Sequence, residues 1–454
     1  DGLTHNKMST RPRLVPWLTR WGSERGSGAN TALLRVAILA AIYVLAFVCR
    51  FYSVIRYESI IHEFDPWFNY RSSRHLVDHG LYDFLNWFDE RAWYPLGRTV
   101  GGTVYPGLMM TAGLIHWLLH ALNLPVHIRE VCVCLAPWMA SNTAIVTYFF
   151  TKEIKDSRAG LLAAAFVAIV PGYISRSVAG SYDNEGVAIF AMVLVYFLWV
   201  RAINTGSIMY AALTALVYFY MVAAWGGYVF IINIIPLHAF LLLLLGRYSA
   251  RLYVAYSVFY ILGTIMGMQV FYVGFRVVQS SDHLASHGTF GLMQLVAFYK
   301  WVTPLISRGS RRYLLNSALL LASAGAAAAI AYAFAKGLIQ PFSGRFINMF
   351  DPTYASKYIP IIASVSEHQP TVYTSYLFDL HVLIVLVPVG LFHLFFHAND
   401  AATFLLLYTV LSTYFSGVMV RLMLVLAPAA CCTAAIAVSA TLDRFAVPTL
   451  GATR

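Results

Sequence analysis

Four segments of the 454-residue sequence concentrate side chains able to do chemistry. The first is His62-Glu63-Phe64-Asp65-Pro66-Trp67-Phe68-Asn69-Tyr70-Arg71, where Pro66 biases Asp65 toward an extended backbone. The second, Ser175-Arg176-Ser177-Val178-Ala179-Gly180-Ser181-Tyr182-Asp183-Asn184-Glu185, ends in an acid-x-acid pair. The third, Ser364-Val365-Ser366-Glu367-His368-Gln369-Pro370, carries one acid, and the fourth, Val420-Arg421-Leu422-Met423, one arginine. Carboxylates spaced as Asp183 and Glu185 can face one hard divalent cation, and a third from Asp65 would leave open positions for a phosphate-bearing substrate. All-oxygen ligation of that kind suits Mg2+ or Mn2+. Each residue also has a structural use: Asp183 can cap a helix and Glu185 favour its positive end. Asp65 and Glu367 can start a turn or cap a short element, and Arg176 and Arg421 can snorkel at a helix end. Delivery of all of them to one side of a membrane argues for a shared site, because polar groups gathered there are costly to desolvate.

The elements that must position these residues are membrane helices. Hydrophobic types make up 59% of the sequence and charged residues 11%, too little polar surface to cover a water-soluble domain of this size. A hydrocarbon core of ~30 Å takes about 20 helical residues to cross. Apolar runs suited to that occur at 31–52, 127–150, 158–174, 186–202, 208–223, 225–245, 251–274, 288–306, 313–335, 376–396, 401–418 and 421–441. The expected fold class is therefore an all-α polytopic membrane protein with about twelve transmembrane helices. The first run is not a cleavable signal peptide, because a long basic segment precedes it.

Residues 104–122 are also apolar. As a crossing they would bring Lys152, Lys155 and Arg158 to the side of residues 53–100, against the cytosolic bias of basic loops, so they are read as re-entrant or interfacial. Lys7, Arg11, Arg13, Arg20 and Arg25 place the N-terminus in the cytosol, and the loops holding Arg247/Arg251 and Arg308/Arg311/Arg312 fall beside it. The opposite side receives large loops at 53–126 and 336–375, shorter ones at 175–185 and 275–287, and a turn at 416–421. All four chemical segments lie there. Residues 1–30 read as a basic cytosolic tail, 31–441 as the transmembrane domain, and 442–454 as a short cytosolic tail with no soluble domain after the last helix.

The net charge of +11 is spread over loops, which argues against a nucleic-acid partner. Cys49, Cys132, Cys134, Cys431 and Cys432 sit in apolar runs and read as packing residues. His283 and His287 stand at i and i+4 without a third ligand and are expected on a surface or as caps. Asp379 and His381 are expected to cap or anchor the span they open, with facing the cavity as the alternative. No HExxH, Walker loop or GxGxxG is present, which removes the simplest hydrolase, NTPase and dinucleotide readings.

The strings FDPWFNYR, SRSVAGSYDNEG, SVSEHQP and VMVRLMLVLAP, in this order and over residues 31–441, resemble the catalytic subunit of eukaryotic oligosaccharyltransferase, a dolichyl-diphosphooligosaccharide–protein glycosyltransferase. The resemblance implies a GT-C-type architecture in the endoplasmic reticulum membrane, with 31–441 as the catalytic domain and the active site lumenal. It implies transfer of an oligosaccharide, with inversion, from a dolichyl diphosphate donor to the asparagine of Asn-x-Ser/Thr sequons in a nascent polypeptide. It further implies Mn2+ or Mg2+ dependence and association with membrane lipid and other oligosaccharyltransferase subunits. By it, Asp65, Asp183 and Glu185 hold the metal, and Glu63 with Asp65 forms the first acid-x-acid motif. Asp65 and Glu367 contact the acceptor asparagine, Arg421 binds the lipid diphosphate, Arg176 supports activity, and Ser364, Val365 and Ser366 belong to the motif around Glu367. Family members continue through a further span into a lumenal domain with a WWDYG motif, which these residues do not contain. A non-catalytic scaffold and a polytopic transporter are the competing readings. Transporters usually show repeated halves and broken helices at the midplane, whereas here the charges gather at one surface.

Overall fold

A computed structural model describes residues 28–305, 308–337, 339, 347, 350, 351 and 353–451. The tail residues Lys7, Arg11, Arg13, Arg20 and Arg25, the ends of both tails and much of 338–352 in the 336–375 loop lie outside the described residues, as do the side chains of Arg308, Arg311 and Arg312. The described chain is mostly helical. Six helices are long and apolar enough to cross a membrane: Asn30–Tyr57, Ile128–Ile154, Asn184–Thr205, Ala250–Gly267, Asp400–Val418 and Val420–Phe445. Shorter apolar helices are Gly107–Ala121, Ser157–Ile169, Ile208–Ala224 and Tyr228–Leu244. Gly107–Ala121, at 15 residues, is about 22 Å long and falls short of a hydrocarbon core.

Helix Asn184–Thr205 forms the centre. It packs on Ile128–Ile154, Ile208–Ala224, Ala250–Gly267 and Asp400–Val418, and its Trp199 is fully enclosed beside Tyr256 and Phe259. Helix Met423–Gly451 is also buried over most of its described length, which its small residues allow. Helix Leu383–Phe396 approaches it so closely that a Cβ on Gly390 would lie 2.2 Å from the Thr433 carbonyl. The first helix, by contrast, turns Leu33, Leu34, Val36 and Val44 outward, as a helix edge facing lipid would. Starts are set by short polar side chains that take up free N–H groups. Asp156 accepts from Ala159 at 2.8 Å, Asn399 from Ala402 at 2.7 Å and Ser249 from Leu252 at 3.2 Å.

Basic side chains collect at one end of the bundle. Lys155 and Arg158 pair with Asp443 at 3.3 and 2.7 Å, Arg247 pairs with Asp400 at 3.4 Å, and Arg251 donates to the Asn204 carbonyl at 3.2 Å. Helix Asn184–Thr205 runs from that end to Asp183. Its 22 residues separate the two by ~33 Å.

Several sequence expectations need correction. The runs 158–174, 251–274 and 376–396 are not single helices. The first breaks at Val170 before Pro171, which cannot continue a hydrogen-bonded helix, and the second ends at Gly267. The third bends by 87° between Tyr373–Leu380 and Leu383–Phe396, with His381 at a positive φ of 50°. The 53–126 loop is built of helices Phe64–His79, Leu81–Asn86 and Gly107–Ala121, plus a two-stranded hairpin pairing Phe88 with Thr99 and Asp89 with Arg98, so the fold is not purely helical. Asp65 is not extended: it lies in the first turn of Phe64–His79, where Pro66 is tolerated because N–H groups there have no partner within the helix. His283 is neither on the surface nor a side-chain cap: it is buried against Tyr228, its ring nitrogens without hydrogen bonds.

Candidate active site

The four segments arrive at one end of the bundle on separate elements. Helix Phe64–His79 is fastened to the second segment by its buried face: the Asn69 amide donates to the Tyr182 carbonyl at 3.1 Å, and the Ser73 and Tyr182 hydroxyls share a hydrogen bond of 2.7 Å. Its far side is held by Arg71, which forks onto buried Asp89 at 2.7 and 2.9 Å. Burial would raise the Asp89 carboxyl, but Arg71 and the Arg91 amide outweigh that and hold it below the usual range. Glu63 precedes the helix at a φ of 65°, without a side-chain cap, and Asp65 follows in the first turn.

The second segment is pinned from two directions. The His62 amide donates to the Gly180 carbonyl at 3.0 Å, and the Gly180 amide donates to Val133 at 3.1 Å. Glycine is required there: its φ is +93°, and a Cβ would lie 2.2 Å from the Ile60 carbonyl. Asp183 then caps the central helix, accepting from the Asn184 amide at 2.7 Å, so the structural use foreseen for Asp183 is real. Glu185, in the first turn, is only 1% exposed.

The third and fourth segments are zipped together by backbone. Val420 donates to the Gln369 carbonyl at 3.0 Å and Thr371 to Gly417 at 3.2 Å, with the Tyr376 and Ser416 hydroxyls bonded at 2.8 Å. This register sets Glu367, on the turn Ser366–His368, beside Arg421. Ser364, Val365 and Ser366 shape that turn, Ser364 by donating to the Ile361 carbonyl at 2.8 Å.

The result is an alternating network of arginines and acids. Arg421 Nε lies 2.6 Å from Glu185 Oε1, and its Nη1 lies 3.8 Å from Glu367 Oε2. Arg176 pairs with Glu367 and stands 3.8 Å from Glu185 Oε2. Burial would raise the Glu367 carboxyl, but the hydrogen bond and charge of Arg176, helped by Arg421 and His368, hold it below the ordinary range. Asp65 moves the other way. Burial and then the charge of Asp183 push its pKa up, with Glu367 and Glu63 adding to the rise and Arg421 opposing it. A cavity of about 200 Å3 opens against the network, lined by Ser175, Arg176, Glu367, Asp379, Arg421 and Leu424 among others. Of the two uses open to Asp379, capping or anchoring a span and facing the cavity, the second is observed: it lines this cavity, beside the bend at His381. No sequence pattern around it signalled that.

The structure thus joins Arg176, Glu185, Glu367 and Arg421 by direct ion pairs, and brings Asp65 and Asp183 within electrostatic range of them. Among the described residues no three acid, histidine or cysteine side chains converge tightly enough to enclose a metal ion. The donor chemistry nevertheless fits a hard cation. Glu185 Oε2 is buried without a hydrogen-bond donor, and Asp65 and Asp183 repel one another, so a divalent charge between them would relieve both penalties.

The sequence matches the family described as "Oligosaccharyl transferase STT3, N-terminal" over residues 33–434. It is 61% identical over 422 residues to the dolichyl-diphosphooligosaccharide–protein glycosyltransferase subunit STT3 of Dictyostelium discoideum, covering 93% of this chain and 59% of that protein. Against the corresponding subunit stt-3 of Caenorhabditis elegans it is 56% identical over 418 residues, covering 91% and 55%. Among solved structures it is similar to the archaeal oligosaccharyltransferase AglB from Archaeoglobus fulgidus, in complex with an inhibitory peptide and a dolichol-phosphate. The TM-score is 0.72 at 16% identity, over 91% of this chain and 51% of that one. That identity bears on the fold alone. The chain spans a little over half the length of the curated relatives it matches.

Proposed function

Because the chain belongs to the oligosaccharyl transferase STT3 family, we propose that it transfers an oligosaccharide from a dolichyl diphosphate carrier to the side-chain amide of asparagine in Asn-x-Ser/Thr sequons. The observation that carries this reading is the alternating network of Arg176, Glu185, Glu367 and Arg421 at a cavity mouth, with Asp65 and Asp183 beside it.

An amide nitrogen is a weak nucleophile because its lone pair is delocalised, as the ~18–20 kcal/mol amide rotation barrier shows. Asp65 and Glu367, arriving from different elements, would accept the two N–H groups of the asparagine, orient the nitrogen and weaken that conjugation. The opposite displacement of their proton affinities divides the work. Glu367, kept anionic by Arg176, is an orienting acceptor, while Asp65, whose burial and acidic neighbours raise its affinity for a proton, is the better base. Arg421 would bind the donor diphosphate and stabilise the charge that builds on the leaving oxygen. Attack and departure on opposite edges of one cavity give inversion at the sugar carbon. Asp65, Asp183 and Glu185 would hold Mn2+ or Mg2+, which when bound supplies further positive charge toward the diphosphate.

The same reading places about twelve crossings in the endoplasmic reticulum membrane, with the network lumenal and the N-terminus cytosolic. It is supported by the basic clusters at the far end of helix Asn184–Thr205 from Asp183. Other oligosaccharyltransferase subunits are expected partners. The test supplies an enzyme assembled around this chain with a lipid-linked oligosaccharide and an Asn-x-Thr peptide, with and without Mn2+. Metal-dependent glycopeptide is the expected product. Substrate uptake without glycopeptide would favour a transporter, and neither activity a scaffold.

A further inference from the structure

Arg50 lies in the first helix, with an apolar run on either side, and is fully buried. Among the described residues no acid pairs with it. Its Nε donates to Ser177 Oγ at 2.7 Å, and Nη1 donates to the carbonyls of Ala168 at 2.7 Å and Ala46 at 3.0 Å. Nη2 reaches the Val167 carbonyl at 3.4 Å, and the guanidinium lies 5.0 Å from the centre of the Tyr173 ring. The sequence explains why the Val167 and Ala168 carbonyls are free. In a continuous helix the Val167 carbonyl would accept the N–H of residue 171, but residue 171 is proline and has none. The break at Val170 similarly strands the Ala168 carbonyl. A guanidinium delivers five N–H groups in a planar fork, so one residue can meet several stranded acceptors at once.

We propose that Arg50 is a positioning residue of the active site: its buried guanidinium bridges the broken end of helix Ser157–Ile169 to Ser177 and so fixes the loop that presents Arg176 and Asp183. Ser177 follows Arg176 directly and is itself fastened back to the Tyr173 carbonyl. Two further bonds from the same stretch of the first helix hold the rest of the loop. The Ala179 amide donates to the Arg50 carbonyl at 2.9 Å, and Ser53 Oγ donates to the Ala179 carbonyl at 2.8 Å. The first helix thereby sets where Arg176 meets Glu367 without touching substrate.

The inference rests on the proposed transferase reading, so its test carries one readout that needs no catalysis. Arg50→Lys keeps the charge and most of the volume but cannot fork across Ser177, Ala46 and Ala168. In the assembled enzyme it should lower kcat about tenfold to a hundredfold, as displacement of a catalytic group by an ångström does, with donor KM within about twofold of wild type. In an Arg176→Ala background the same change should cost clearly less than it does in wild type, because the part of its effect that runs through Arg176 is already lost. Hydrogen exchange should rise over residues 175–183 and at the adjoining break near Val170, and not in distant helices. A loss that tracks the amount of folded chain, full additivity with Arg176→Ala, or unchanged protection of 175–183 would each overturn the proposal. If the lysine variant fails to accumulate, Ser177→Ala, which removes the Nε acceptor together with the tie to the Tyr173 carbonyl, must show the local rise in exchange; retained protection there also overturns it. If the wild-type enzyme transfers no glycan, the transferase reading fails by itself, and the exchange pattern still decides the role of Arg50.

Discussion

Replacing Glu367 by glutamine separates catalysis from stability, because the same side chain contributes very differently to each. In the folded chain its carboxylate pairs with Arg176 and lies 3.8 Å from Arg421, but Glu367 and Arg176 keep 32% and 29% of their side-chain surface exposed. A pair that open to solvent contributes at most about 1 kcal/mol to stability. Thermal unfolding of the variant should therefore move by only a few degrees. In the proposed reaction the carboxylate would accept an N–H of the asparagine amide as charge develops on that nitrogen. A hydrogen bond to an ionised group is worth about 1.5–3 kcal/mol, which is roughly a 10- to 150-fold change in rate. The glutamine also loosens Arg176, whose remaining nearby acid oxygen is Glu185 Oε2 at 3.8 Å, so the larger figure is favoured. The assay is steady-state transfer to a fluorescent Asn-x-Thr peptide, with kcat, donor KM and peptide KM measured separately. The expected pattern is a fall in kcat of at least about tenfold with donor KM within about threefold. Near-normal turnover, or a loss confined to donor KM, would refute the assignment of Glu367 to the acceptor side.

The other variants act on the opposite edge or on the scaffold. Arg421→Ala leaves Glu185, 1% exposed, without its partner at 2.6 Å; breaking such a pair costs about 3–5 kcal/mol, near the lower end here because Arg176 remains close. It should lower the thermal midpoint and raise donor KM, and adding Glu185→Gln should restore stability without restoring transfer. The raised pKa of Asp65 puts the acid limb of kcat/KM above the ordinary aspartate range near pH ~3.9: activity falls as pH drops through the raised value, and ionising Asp65 destabilises the fold above it. Saturating Mn2+ should shift that limb to lower pH, and a limb unmoved by metal would count against Asp65 as a ligand. Gly180→Ala should reduce folded chain markedly, since its Cβ would meet the Ile60 carbonyl at 2.2 Å; normal accumulation with full activity would show the clamp between the first two segments to be dispensable.

Composition and span length made the helical membrane character legible, because crossing a bilayer imposes a length and a polarity that any reading of the chain detects. The charged segments were legible for the same reason: acids and arginines at the end of apolar runs stand out. What stayed hidden was set by contacts between distant residues. Nothing local shows that 376–396 turns by 87° at His381, since the cost of that turn is met by packing against helix Met423–Gly451. Without the turn, Asp379 could not be placed at the cavity. An arginine near the end of an apolar run, as Arg50 is, has the pattern of a snorkelling anchor, and only the break before Pro171 reveals the acceptors it serves.

The irregular points of the backbone and the chemistry coincide, and membrane physics gives a reason. Within a hydrocarbon core a helix must satisfy its own backbone, so polar groups can be supplied only where helices end or break, and there the freed carbonyls and amides need partners from neighbouring elements. The break at Val170, the turn at Asp183, the bend at His381 and the end of helix Asp400–Val418 before Arg421 all border the same network. Each places an acid or arginine in or beside the network, and three are tied down from another element: by Arg50 at the first, by His62 and Asn69 at the second, and by the Gln369 carbonyl and the Thr371 amide at the last. Those ties hold the charges in position before substrate arrives, which is the condition under which electrostatic stabilisation of a leaving diphosphate costs no reorganisation. Loosening a tie should therefore lower turnover while leaving the charges themselves present, whereas deleting a charge should change substrate affinity or turnover according to the edge it serves.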